Sequence, residues 1–135
     1  MSDKTATDPM DEGGPIATYS RAEAIADGVL VQVPEVAWRV ARFRWPVALT
    51  ADVHGRCVAW GGDPEMEGRR LAELLGMAHA AIRRSGNQGG RSVSFAFVYM
   101  EMDNPADDQE VWLTVAAGPG DDGEPVMTVM FPHED

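Results

Sequence analysis

Apolar residues recur at helical spacing in the first two thirds of the chain, and from Ser92 onward they alternate with polar ones, so the pattern predicts helices first and strands last. Ser20 with Glu23 three residues later makes a capping box, and Gly28 stops the short helix carrying Ala22, Ala24, Ile25 and Ala26. Val29 to Val33 reads as a short strand or extended segment ending at Pro34. Pro34 opens a second helix, with Val36, Val40 and Phe43 on its core face and Arg39 and Arg42 pointing away. Pro46 to Leu49 is an extended segment leading to Thr50, the N-cap of a helix over 51–59. Asp63 and Pro64 start the longest helix, whose Leu71, Leu74, Leu75, Ala78 and Ile82 form one stripe and whose Glu65 and Arg69 are spaced to pair. It ends near Ser85 and Gly86, before a flexible loop of Asn87, Gln88, Gly89 and Gly90.

In the first strand Val93, Phe95, Phe97 and Tyr99 share one face, with Ser94, Ala96, Val98 and Met100 on the other. The second covers 110–117 and the third 126–131, joined by an acidic loop from Asp103 to Gln109 and a glycine-rich turn from Gly118 to Glu124. The expected fold is therefore α+β: short N-terminal helices and one long helix packed on a C-terminal three-stranded antiparallel meander. Residues 1–18 lack apolar periodicity and read as a disordered tail before a single domain over 19–135.

Composition narrows the function. All eleven Lys and Arg residues lie at or before Arg91, and residues 92–135 carry ten acids and no base, so nearly all of the net charge of −11 is local to the last third. Phosphate backbones are bound through clustered cations, so direct nucleic-acid binding is disfavoured and a basic protein surface is the expected partner. In a meander the first connection and the end of the third strand meet at one end of the sheet. That places Glu101, Asp103, Asp107, Asp108, Glu110, Glu134 and Asp135 together as a partner surface, with Asp121, Asp122 and Glu124 as a secondary acidic turn at the far end. A surplus of carboxylates also serves solubility alone. Self-pairing of an edge strand is a further route to assembly.

Enzymatic signals are weak. Asp103, Asn104, Asp107, Asp108 and Glu110 invite a calcium reading, but Pro105 and Ala106 break the alternation of an EF-hand loop. The alternative reading is a small cytoplasmic enzyme using His54, Cys57 or the acidic loop; His54 and Cys57, three apart, would serve as base and nucleophile or as half of a metal site, yet no second cysteine completes it, and neither metal nor cofactor is expected. Neither glycine-rich loop has the Lys and Ser or Thr of a phosphate cradle. Trp38, Trp45, Trp60 and Trp112 supply either core or interface, with core expected for at least two, and Met100, Met102, Met127 and Met130 flank the acidic region. A lone cysteine, no apolar run of membrane-spanning length and no secretion signal make the cytoplasm the expected compartment.

Three segments carry a resemblance: Tyr19 to Val31 (YSRAEAIADGVLV), Pro46 to Thr50 (PVALT) and Gly118 to Val126 (GPGDDGEPV). In this order they resemble an uncharacterised family of small bacterial proteins found on plasmids, integrative elements and phages, over residues 19–132. The resemblance implies a mobile-element setting and transfers no catalytic residue. Together with the charge segregation it leads to the expectation of a non-enzymatic inhibitor, of DNA-mimic, anti-CRISPR or antirestriction type. Such an inhibitor would dock on the nucleic-acid-binding surface of a host protein.

Overall fold

The computed structural model describes residues 19–86 and 91–134. The expected tail over 1–18, the loop Asn87 to Gly90 and the terminal Asp135 lie outside the described residues. The chain divides into two compact units, Met1–Leu30 and Val31–Asp135.

In the first unit, α1 (Arg21–Ala26) is bounded as its sequence requires. Ser20 Oγ accepts from Glu23 N–H and Ser20 N–H donates to Glu23 Oε1, both at 2.9 Å, so two otherwise orphaned amides are satisfied reciprocally. Gly28 at φ +80° turns the chain out of the helix.

Among the described residues the sheet has five strands, β1 (Leu30–Gln32), β2 (Val47–Thr50), β3 (Ser92–Glu101), β4 (Asn104–Pro119) and β5 (Pro125–Met130), in the order β1-β2-β5-β4-β3. The class is α+β, but the three-stranded antiparallel meander is overturned: β2 runs parallel to β5, with Val47, Ala48 and Leu49 opposite Met127, Thr128 and Val129, giving a mixed sheet. The physical reason lies in Val47, Ala48 and Leu49, each 1% exposed. A strand buried on both faces has no alternation to betray it, and a four-residue apolar run looks like any extended core segment. Inserting it against β5 also pulls β1 into the sheet as an edge.

The acidic loop is corrected as well. β4 begins at Asn104, so most of Asp103 to Gln109 is strand, and only Met102 and Asp103 form the hairpin tip. Tyr99 and Met100 of β3 lie opposite Gln109 and Asp108, and backbone pairing overrides the low strand propensity of the aspartates. The register slips between Met100 and Glu101, where Glu101 faces Asn104. Proline at position 105 has no N–H for the ladder, which accounts for an irregularity there.

Helices cover the face formed by Val47 and Leu49, Phe95, Phe97 and Tyr99, Leu113 and Val115, and Met127 and Val129. The long helix α4 (Pro64–Ser85) starts where Asp63 accepts from Glu65 and Met66 N–H, and its Leu74, Leu75, Ala78 and Ala81 are buried. Before it, α2 (Glu35–Val40) turns Trp38 inward and leaves Val36 and Val40 71% and 76% exposed, against the expected core face; Phe43, the third residue of that face, is buried but lies beyond the helix. With two turns available the helix orients on its largest apolar side chain, because a tryptophan buries far more surface than two valines. The segment over 51–59 is helical but not uniformly so: α3 (Ala51–Val53) runs into a π-helical turn at His54–Val58, where Ala59 N–H reaches His54 O at 2.8 Å. The wider turn puts Val53, Cys57 and Val58 into the core together.

Candidate protein-docking surface

The β3–β4 hairpin runs past the rest of the sheet, because β5 ends at Met130, opposite Thr114, ten positions short of the start of β4. Its inner face is core. Its outer face pairs Ala96 with Trp112, Val98 with Glu110 and Met100 with Asp108. Trp112 is 58% exposed and Val98 51%, an apolar centre that nothing in the described chain covers. At the tip, Met102 leans its Sδ over Gly61, where an added Cβ would lie 3.3 Å away, so this glycine admits the tip against the turn before α4.

Glu101, Asp103, Asp107, Asp108 and Glu110, all exposed, run from this centre toward the hairpin tip, with Glu110 opposite Val98 and Asp108 opposite Met100. None lies in an ion pair with an arginine among the described residues. The ion pairs there are Arg39 with Glu35 at 2.6 Å and Arg69 with Glu65 at 3.4 Å, both along exposed helix faces. Asp107 accepts from Asn104 Nδ2 at 3.0 Å, which holds the irregular stretch after the tip.

The other two groups of acids are placed differently. Glu134 is half-buried, and one carboxylate oxygen accepts from Thr50 Oγ1 and Phe131 N–H, each at 2.8 Å, so it ties the C-terminal 3-10 turn to the end of β2. Asp135 lies outside the described residues. Asp121, Asp122 and Glu124 occupy the β4–β5 turn, where Glu124 Oε1 accepts from Asp122 N–H at 2.9 Å and Gly120 N–H donates to Glu124 O.

Arg70 is a residue that helix periodicity does not single out. It is 6% exposed, and its guanidinium donates to Val58 O at 3.1 Å, Arg56 O at 3.1 Å and Met100 O at 2.7 Å, with its Cζ 4.8 Å from the centre of the Trp60 ring. Three carbonyls and a ring face replace water around a buried cation. The arrangement also anchors the far end of β3 to the π-helical turn.

Cys57 is fully buried, and that burial pushes its thiol up to about 11, against the opposing pull of Arg70 and Arg56, so a thiolate is disfavoured at neutral pH. No hydrogen bond joins it to His54 among the described residues. Nor do any three His, Cys, Asp or Glu side chains among them stand where they could hold a metal ion. The His79 ring packs edge-on to Phe43 at 5.4 Å, and burial, then Arg83 and Arg42, hold its pKa below the usual histidine value. Among the described residues no helix is long and apolar enough to cross a membrane.

A model of a family of unknown function, DUF6573, matches residues 10–135. The chain belongs to this family. No curated protein and no solved structure matches the chain. In this DUF6573 chain the hairpin acids could be found from charge segregation, whereas Trp112 and Val98 could not. Alternation places Val98 on the face opposite Phe95 and Phe97, but only the folded structure shows that Val98 and Trp112 share that face and stay uncovered among the described residues.

Proposed function

We propose that this chain is a non-enzymatic binding protein whose β3–β4 hairpin docks on a basic protein surface. The observation that carries this reading is an exposed tryptophan and valine followed, toward the hairpin tip, by five exposed carboxylates without arginine partners among the described residues. Protein interfaces concentrate affinity in a few large side chains that exclude water, and a charged rim contributes orientation and rate. The cytoplasm suits a chain with a single free cysteine.

A finer form of the proposal follows from the mobile-element resemblance of the three segments. The partner would be a nucleic-acid-binding host protein, and the carboxylates would stand where phosphates otherwise sit. The test is retention of host proteins on the immobilised chain, compared with a D107K/D108K/E110K variant and with Trp112→Ala. A partner held by the wild type, lost by both variants, and released as salt rises from about 0.1 M to about 1 M supports the proposal, since screening then shortens from roughly 10 Å to 3 Å. Retention unaffected by the triple reversal refutes it. Duplex DNA that fails to compete for the partner refutes the finer form alone.

A further inference from the structure

Among the described residues, one side of β3 is open. Arg91 O accepts from Ala117 N–H at 2.7 Å, and the register keeps every later pair up to Met100 and Asp108 in step with this bond. Hydrogen-bonded pairs in an antiparallel ladder recur at every second residue, so Val93, Phe95, Phe97 and Tyr99 direct their N–H and C=O groups to β4. Ser94, Ala96, Val98 and Met100 direct theirs away from it. The bond from Arg70 Nη1 to Met100 O is independent evidence of that direction.

Beside this edge lies a cleft of about 530 Å³ between β3 and α4, with Phe97, Val98, Tyr99 and Met100 on one wall and Met66, Arg69 and Glu73 on the other. Long, uncharged edge strands are an association hazard, which proteins blunt with short strands, charges or prolines. The opposite edge, β1, follows that rule with three residues. β3 does not: Ser92 to Met100 contains neither a charge nor a proline. A second copy is a poor cover, since each chain carries a net charge of −11.

We infer that β3 is completed by an extended, basic segment of the partner, which lies in the cleft against α4 and adds a sixth strand through the outward backbone groups of Ala96 and Val98. Charge complementarity favours this occupant. Glu73 and Asp108 line the cleft without ion pairs among the described residues, while Arg69 pairs with Glu65 and Arg70, which keeps its charge, is 6% exposed and turned onto carbonyls of its own chain. Strand addition draws affinity from main-chain bonds and selectivity from alternate side chains. The inference rests on the docking surface proposed above and specifies what the partner presents to it.

The probe is an end-blocked octapeptide of alternating lysine and valine, with a glutamate–valine counterpart, read by amide hydrogen exchange and nuclear magnetic resonance shifts. The lysine peptide is expected to slow exchange at the Ala96 and Val98 amides at least tenfold, and the glutamate peptide to leave it unchanged. Val98→Pro removes an outward donor and no β3–β4 bond, so binding should weaken at least tenfold. If that variant fails to fold, the lysine peptide N-methylated at alternate residues must show the same loss against the wild type. Absent binding, or binding with edge exchange unchanged, overturns the inference. If binding without edge protection still falls in the D107K/D108K/E110K variant, the hairpin surface survives as the docking face. Equal binding by that triple variant defeats the docking face as well. Edge amides protected before peptide is added, in proportion to protein concentration, would identify a second copy as the occupant and overturn the inference.

Discussion

Replacing Arg70 with methionine keeps the volume of the stem and removes the guanidinium that joins α4, the π-helical turn and the end of β3. Each bond from a charged donor contributes roughly 1.5–3 kcal/mol, and three carbonyls, those of Arg56, Val58 and Met100, lose a partner at once. Simple addition overshoots, because the site relaxes and water reaches part of it. The expected loss is about 3–5 kcal/mol, comparable to breaking a buried charge cluster and a large share of the roughly 5–15 kcal/mol that holds a domain together. For a chain of this size that lowers Tm by about 10–15 °C. Arg70→Lys retains the charge but cannot span three carbonyls on two elements, so it should recover less than half of the loss. Urea unfolding followed by circular dichroism gives both values, with the midpoint falling at unchanged slope. A methionine variant within 1 kcal/mol of the wild type, or a lysine variant equal to it, would refute the account of Arg70 as the fold's internal tie.

Three further outcomes follow from the same structure. The Cys57 thiol is raised from 9.0 to about 11, so its burial stabilises the fold fully below pH 9 and that contribution is lost as pH rises toward 11; Cys57→Ala should show a shallower alkaline fall in urea midpoint, and an identical fall refutes the assignment. The Glu67 carboxyl is held below the ordinary glutamate value, first by Trp60 N–H at 2.7 Å and then by Gly62 N–H at 3.0 Å, so its stabilisation is present above pH 4.5 and lost on acidification; Glu67→Gln should be less stable than the wild type at pH 7, with the gap closing in acid, and equal midpoints at pH 7 would count against it. On α2, Trp38→Ala should cost about 3–5 kcal/mol and Val40→Ser less than about 0.5 kcal/mol, whereas comparable losses would mean that the helix faces the other way.

Features written in local sequence were legible from it. Ser20 and Glu23, Asp63 and Pro64, and the stripe through Leu74, Leu75 and Ala78 each specify structure within a few residues, and each forms as its pattern demands. The alternation from Val93 to Tyr99 likewise fixed which side chains point to the core. Charge segregation pointed to the hairpin acids because counting requires no geometry. What the tertiary structure decided is how weak local signals are resolved by their neighbours. Val47 to Thr50 is a strand only because β5 offers an edge, α2 faces inward through Trp38 only because the core has room for it, and Asp108 and Gln109 are extended only because β3 presents its own residues opposite. Trp112 stays exposed, and Arg70 becomes the internal tie, for the same reason: burial belongs to a pair of surfaces brought together, and a single chain segment carries only one of them.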